Sequence, residues 1–173
     1  MGADRLTAGA PVADPMSSVE ARIQAAGFAI PSPPKPAAAY IPWTKQGNTV
    51  WVAGQIPTRD GKPVMTGKVA ANPGAGQVSV AQAQEAARVC VLNALAVLKE
   101  ATGGQLDKVR VLKTVNFVAA APGFTDIHIV ANGASEMLIS VFGDKGKHAR
   151  SAVGVAELPF GVPFEVELVV ALD

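Results

Sequence analysis

Two long segments with helical spacing, set between strand-like segments, most constrain how this chain can fold. The first opens at Ser79, which forms a capping box with Gln82, and extends to about Ala101. The second covers residues 127–142, where apolar side chains recur at helical intervals up to a glycine. The remaining apolar runs are strand candidates: 49–56, 108–118, 149–158 and 163–172. This order predicts an α+β domain, a single sheet with both long helices packed on one face.

One domain is expected from the length and the composition. A chain of 173 residues that is 49% apolar can bury a substantial core. Residues 1–16 are rich in Ala, Gly, Asp and Pro without periodicity, which predicts a flexible amino-terminal extension. The domain is therefore expected to span residues 17–173. It would begin with a short helix capped by Ser17, and the Asp60-Gly61 turn signal predicts a hairpin.

Charge, hydropathy and cysteine content argue against several classes of function. The chain carries 15 basic and 14 acidic residues, and no basic cluster alternates with aromatic residues, so nucleic acid is not an expected partner. No apolar stretch approaches the length of a membrane span, so no membrane partner is expected. The single cysteine, Cys90, permits no internal disulfide. We expect a soluble cytoplasmic protein.

Metal and serine-nucleophile chemistry are not predicted either. The two histidines, His128 and His148, have no metal-ligand spacing with each other or with Cys90. His148 and Ser151 lie three positions apart on a predicted strand, so they face opposite sides and cannot form a nucleophile and base pair. No metal or cofactor is therefore expected.

The run of residues 148–159 (HARSAVGVAELP) sets one cation into an otherwise apolar strand. Alternation places Arg150 on a face that otherwise carries only alanine and glycine, which suggests space for a ligand beside the guanidinium. A planar guanidinium matches a carboxylate through two hydrogen bonds and stays charged at physiological pH. The sequence therefore predicts a small-carboxylate site at Arg150. The alternative is a structural ion pair with one of three acids: Glu157, Glu165 or Glu167.

Two carboxylates occupy one face of the last strand. Glu165 and Glu167 alternate with apolar residues expected on the core side, so they face away from the helices. They are either solvated charges or covered by another subunit, where a partly desolvated carboxylate can act as general acid and base.

The last two strands are expected to pair as a tight hairpin through residues 160–162. Such a hairpin would separate Arg150 from Glu165 of the same chain by roughly 23 Å. The two side chains could then share a ligand only across subunits, and isolated monomers would be inactive.

Several short motifs resemble those of the Rid family of enamine and imine deaminases, also known as the YjgF or endoribonuclease L-PSP family. They run from about Tyr40 to the carboxyl terminus, at matching intervals. The motifs are residues 53–57 (AGQIP), 149–151 (ARS), 157–159 (ELP) and 165–167 (EVE). The resemblance implies a chorismate-mutase-like fold, a homotrimer and three sites in the clefts between subunits.

The resemblance also implies an activity and roles for residues. It implies hydrolysis of a reactive 2-aminoacrylate or 2-imino acid to a 2-keto acid and ammonia without a cofactor. On that basis Arg150 clamps the substrate carboxylate and Glu165 deprotonates the attacking water or shuttles the proton. Tyr40 closes the pocket, and the backbone of Gly54 lines it. The protein would be a hydrolase acting on C–N bonds.

The chain departs from the family pattern at the predicted pocket. Ala53 stands where the family often has serine, and Ala152 where deaminases carry cysteine. The asparagine of the family corresponds either to His128 or to a position near Asn132. The loss of two polar groups favours an alternative, a non-catalytic trimer that binds small carboxylates or 2-keto acids. A further alternative is hydrolysis or tautomerisation of another carbonyl metabolite, whereas no basic groove supports a nuclease.

Overall fold

The structure, a computed structural model, describes residues 18–35 and 38–173. The expected flexible extension and the predicted cap Ser17 lie outside the described residues. Helix α1, Val19–Ala25, is capped by Ser18, whose hydroxyl accepts the Ala21 N–H. The cap is therefore one residue later than predicted. Val19 and Ile23 are buried, so this short helix contributes to the core.

Five strands form the main sheet, and four short strands form two small ladders beside it. The sheet contains β1 (Trp43–Gln46), β2 (Thr49–Gln55), β7 (Val109–Ala119), β8 (Ala149–Val155) and β9 (Phe164–Leu172). The ladders pair β3 (Thr58–Arg59) with β4 (Lys62–Pro63) and β5 (Lys68–Val69) with β6 (Gln77–Val78). The order in the sheet is β1-β2-β9-β7-β8, with only β7 and β8 parallel. The pairing of β3 with β4 confirms the predicted hairpin at Asp60-Gly61.

Two long helices, α2 (Val80–Ala101) and α3 (Ile127–Phe142), cover one face of this sheet. The predicted capping box is present at the start of α2, because Ser79 and Gln82 each accept the other's backbone N–H. The helices touch closely at Gly133, where an added Cβ would lie 2.6 Å from the carbonyl oxygen of Gln84. The α+β architecture and both long helices are as predicted.

The expected hairpin between the last two strands is wrong, because β7 lies between β8 and β9. Phe117 of β7 is level with both Val153 and Glu165. The local turn suggested a hairpin, but α3 serves as the crossover that a parallel β7 and β8 pair requires. Strand β9 then pairs on the other side of β7.

The separation predicted from that hairpin is therefore wrong as well. Thr114 of β7 is level with Arg150 on one side and Leu168 on the other. Arg150 thus lies three residues along the sheet from Glu165 and two strands across, which places their Cα atoms about 14 Å apart.

The small residues of β8 were expected to leave space for a ligand. Helix α3 packs against them instead. An added Cβ at Gly154 would lie 2.7 Å from Cδ1 of Ile127. Ala152 packs against the hydrophobic core. Alanine and glycine on this face let the helix approach the strand closely.

None of the helices within residues 18–35 and 38–173 is both long and apolar enough to cross a membrane.

Candidate functional site

Arg150 lies on the edge strand β8 and its partly buried side chain contacts α3. Its Nη1 donates to Oδ1 of Asn132 at 2.9 Å and to Oγ of Ser135 at 3.3 Å, and its Nη2 donates to the carbonyl oxygen of His128 at 3.3 Å. All three acceptors are neutral. No acidic side chain among the described residues forms an ion pair with Arg150, and Glu157 instead contacts Lys68 at 2.6 Å. The alternative of a structural ion pair is therefore wrong.

The donors of Arg150 are only partly used. A guanidinium offers five N–H groups in a fixed plane. Three are taken by the acceptors on α3, and no other residue within 18–35 and 38–173 accepts from the Nε–H or the second Nη2–H, which leaves these two for a ligand. Asn132 binds Arg150 through its side chain, whereas His128 does so through its backbone carbonyl.

The sequence did not reveal Ser135 as a partner of Arg150 or His148. His148 and Ser151 do not pair, as expected, and Nε2 of His148 lies 3.1 Å from Oγ of Ser135 instead. Its Nδ1 lies 2.6 Å from the carbonyl oxygen of Gly146. Burial lowers the pKa of His148, the hydrogen bond to Gly146 opposes this shift, and the charge of Arg150 adds to it. The imidazole is therefore favoured in its neutral form.

Glu165 lies on the opposite face of the sheet, against Gly54. A register shift in β2 between Val52 and Gln55 brings Gly54 beside β9, and an added Cβ there would overlap Oε1 of Glu165. Glycine is therefore required for this close approach. Partial burial raises the pKa of Glu165, and the charge of Glu167 raises it further.

Tyr40 and Gly54 line the same cavity, of about 510 Å³. Residues 31–35 form one wall, and Phe160, which has a φ of 57°, forms another part of the lining. Ala53 instead lines a separate depression of about 280 Å³ on the exposed sheet face, together with Glu167.

The predicted site residues thus form two groups. Tyr40 and Gly54 line one cavity, and Gly54 also lies directly against Glu165. Arg150 lies with Ala152 at the helix-covered face, at the edge formed by β8. Because the sheet separates the two groups, one subunit cannot close a pocket that contains both Arg150 and Glu165.

Within the described residues, no three His, Cys, Asp or Glu side chains come together in an arrangement that could hold a metal ion.

Comparison with known proteins identifies the family. The family model described as Endoribonuclease L-PSP matches residues 30–172. The chain belongs to this family. Protein TCP17 of Trypanosoma cruzi is 41% identical to this L-PSP chain over 157 residues, which covers 90% of this chain and 94% of that protein.

Solved structures similar to this L-PSP chain share its fold. A crystal structure of a protein of unknown function from Agrobacterium tumefaciens is 42% identical, with a TM-score of 0.81 over 90% of this chain and 92% of that one. The YjgF gene product of E. coli is 26% identical, with a TM-score of 0.55 over 82% of this chain and 96% of that one. The family and the YjgF-like fold predicted from the sequence are thus confirmed.

Proposed function

We propose that this chain is a hydrolytic deaminase of reactive enamines and imines, which converts 2-aminoacrylate or 2-imino acids to 2-keto acids and ammonia. The observation that carries the proposal is the state of Arg150. Its guanidinium is held in place by three neutral acceptors, forms no ion pair with an acidic side chain of the described residues, and retains two N–H groups that no described residue accepts. A fixed cation with free donors is suited to bind a small carboxylate through two hydrogen bonds.

The proposed active site forms between subunits of a homotrimer. Arg150 and Glu165 lie on opposite faces of the sheet. They can therefore meet only when strand β8 at the sheet edge of one subunit approaches, in another subunit, the sheet face that is not covered by the helices and carries Glu165. The exposed apolar side chains on that face support this arrangement. Ile41 is 64% exposed, Trp51 44% and Val153 42%. A surface of this kind is typical of a contact between subunits.

The proposed chemistry needs only groups that the chain supplies. The substrate carboxylate accepts hydrogen bonds from the Nε–H and the free Nη2–H of Arg150. A water molecule adds through its oxygen to the carbon of the protonated imine while Glu165 of the neighbouring subunit takes one of its protons. When the C–N bond of the resulting carbinolamine breaks, Glu165 returns that proton to the leaving nitrogen, and the hydroxyl proton is released as the carbonyl group forms. The products are a 2-keto acid and ammonia.

The raised pKa of Glu165 supports its double role. A carboxyl group must accept a proton in the first step and return it in the second. Both transfers are most efficient when its pKa lies closer to the working pH than that of an ordinary glutamate. Burial and the neighbouring Glu167 shift the pKa of Glu165 in that direction.

A second candidate is a trimer that binds 2-keto acids or other small carboxylates without turnover. Ala53 and Ala152 stand where the family resemblance leads one to expect a hydroxyl and a thiol, and the loss of these two groups favours binding over catalysis. Calorimetry with 2-ketobutyrate, combined with an assay for turnover, separates the two candidates. Binding without turnover would support the second.

The test of the proposal uses 2-imino acids generated in the assay by an amino-acid oxidase, with ammonia release as the readout. We expect the wild-type protein to accelerate release, and Arg150→Ala to lower kcat/KM by about 100-fold, because a desolvated charge partner is lost. Arg150→Lys should restore little of the lost kcat/KM, since an ammonium group lacks the planar pair of N–H donors of a guanidinium.

The matched control is Arg110→Ala. Arg110 is about half exposed and contacts Asp173 at 3.6 Å, so its loss should leave the rate unchanged. Equal rates for wild type and Arg150→Ala would reject the deaminase assignment.

A further inference from the structure

A chain of hydrogen bonds extends from Arg150 away from its free donors. Nη1 of Arg150 lies 3.3 Å from Oγ of Ser135, which lies 3.1 Å from Nε2 of His148. Nδ1 of His148 lies 2.6 Å from the carbonyl oxygen of Gly146. We call these three partners, Ser135, His148 and the Gly146 carbonyl, the Arg150 relay.

The direction of every bond in the relay follows from its last member. A carbonyl oxygen only accepts, so Nδ1 of His148 must carry the proton. A neutral imidazole has one N–H, so its Nε2 must accept, and the Ser135 hydroxyl must donate to it. The lone pairs of Ser135 then remain for the Nη1–H of Arg150. The lowered pKa of His148 is consistent with this neutral form.

The far end of the relay is rigid. Gly146 is buried, and an added Cβ there would overlap the carbonyl oxygen of Leu138. Its backbone therefore packs directly on α3, and its carbonyl cannot move away from His148 without separating the two segments. Hydrogen bonds arranged in one direction also polarise one another, which strengthens each bond.

We propose that Ser135 and His148 are positioning residues that hold Arg150 with its Nε–H and one Nη2–H directed to a carboxylate ligand. Ser135 and Asn132 together take both N–H groups of Nη1. The guanidinium can then rotate only by breaking its hydrogen bond to Ser135. The ligand therefore finds the two remaining N–H groups in a single orientation. The role of the ligand rests on the proposed function, whereas the relay itself does not.

The first test measures 2-ketobutyrate binding by calorimetry to the full-length protein. Ser135→Ala and His148→Leu should each raise the Kd about 3- to 10-fold, which is the range for one net hydrogen bond. His148→Gln should restore the affinity to within about twofold, because its amide oxygen can accept from Ser135. Unfolding temperatures close to wild type for each variant would show that the effect is not a loss of folding.

The matched control is Ser140→Ala on the same helix. Among the described residues, the Ser140 hydroxyl donates to the carbonyl oxygen of Met137 within α3, at 2.8 Å, and does not contact Arg150 or His148, so its loss should not change the Kd. An unchanged Kd in Ser135→Ala, or His148→Gln as weak as His148→Leu, would overturn the positioning role.

The second test reads the relay directly by ¹⁵N NMR of the imidazoles. The chain has two histidines, and loss of one signal in His148→Gln assigns them. We expect His148 to carry its proton on Nδ1, with an Nε2 shift that changes in Ser135→Ala. A proton on Nε2 would contradict the relay.

The outcomes also separate the relay from the proposed function. Ligand binding that depends on Ser135 but without turnover would support the relay and reject the deaminase. Turnover that is unaffected by Ser135→Ala would support the deaminase and reject the relay. A wild-type protein that neither binds nor turns over any carboxylate substrate would overturn the deaminase and the positioning role, whereas the NMR test decides on the relay itself.

Discussion

Gly54 determines where the carboxylate of Glu165 can lie. The register shift in β2 brings the backbone of Gly54 directly against Oε1 of Glu165, and no side chain at position 54 would fit between them. The sequence placed Gly54 in the pocket only through the family resemblance. Its physical reason is the close approach of β2 and β9, which depends on a register shift that no local pattern reveals.

Gly54→Ala should therefore damage activity without unfolding the protein. The new methyl group would displace the end of a flexible side chain rather than backbone, so the free energy of unfolding should change by less than about 1 kcal/mol. Ammonia release should fall, because Glu165 would no longer reach its position beside the ligand. Thermal unfolding and the imino-acid assay, run on the same samples, measure both effects. Full activity in Gly54→Ala would contradict the assigned position of the carboxylate.

The raised pKa of Glu165 predicts a change in stability with pH. The folded state holds this proton more tightly than the unfolded chain does, so the contribution of Glu165 to stability is present below its ordinary pKa. It is lost as pH rises through the raised value. Glu165→Gln removes this dependence, so its stability relative to wild type should increase as pH rises from about 4, the ordinary pKa of a glutamate, through the raised value.

Denaturant unfolding across that pH range measures the difference. Glu136→Gln, an exposed position on α3, corrects for the loss of one negative charge. A stability difference between Glu165→Gln and wild type that is the same at every pH would argue against the raised pKa.

Isolated polar residues in apolar strands were the part of the site accessible from sequence. Arg150 and Glu165 stood out because each interrupts an apolar alternation. Ser135 did not, since a serine on a helix has many ordinary explanations. Its contact with His148 depends on how α3 crosses β8, which is a property of tertiary packing.

At the level of elements, helices were predicted more accurately than strand pairing. The limits of α2 follow from signals within a few residues, its capping box and the glycines after Ala101. The neighbour of β9 could not be read in this way, because the choice between β8 and β7 depends on contacts distant in sequence. The turn at residues 160–162 is compatible with a hairpin, but it does not determine which strand pairs with β9.

The contact between the two long helices should be sensitive to one methyl group. At Gly133 an added Cβ would meet backbone atoms of Gln84, 2.6 Å from its carbonyl oxygen and 2.8 Å from its Cα. Backbone cannot move aside as a side chain does, so α2 and α3 would have to separate. We expect Gly133→Ala to lower the free energy of unfolding by about 1–3 kcal/mol despite the better helix propensity of alanine.

Denaturant unfolding checks this expectation, with Gly74→Ala as the matched control. A Cβ at Gly74 would lie 3.7 Å from Oε1 of Gln77, an ordinary contact distance. That variant should remain within about 0.5 kcal/mol of wild type. Equal stability of Gly133→Ala and Gly74→Ala would show that the helices are not in tight contact.

At the scale of the whole molecule, the sheet divides the proposed catalytic groups between two surfaces. The sequence suggested that Arg150 and Glu165 act across subunits, but for a reason that is wrong, a long hairpin. The structure supplies a different reason, since the two side chains lie on opposite faces. The assembly itself stays a prediction, because one chain cannot reveal which surface of a second copy it meets.

Mixing two inactive variants should restore activity if the site is shared between subunits. Arg150→Ala keeps Glu165, and Glu165→Gln keeps Arg150, so a cleft between the two variants can contain both intact groups. After dissociation and random reassembly of equal amounts, about one site in four should be intact. Ammonia release by the mixture, compared with each variant alone, measures the recovery. No recovery in a reassembled mixture would place both residues in one subunit.

The division of the proposed site by the sheet also makes catalysis depend on how concentrated the protein is. Each subunit is folded and carries every required side chain. In the proposed site, however, Arg150 and Glu165 of one subunit belong to different clefts, and each cleft is complete only when a neighbouring subunit binds. Serial dilution should therefore lower turnover per milligram once subunits begin to part, and substrate or an inert crowding polymer should delay that decline. The amount of protein in a cell would then govern not only how many catalysts are present but whether any exist.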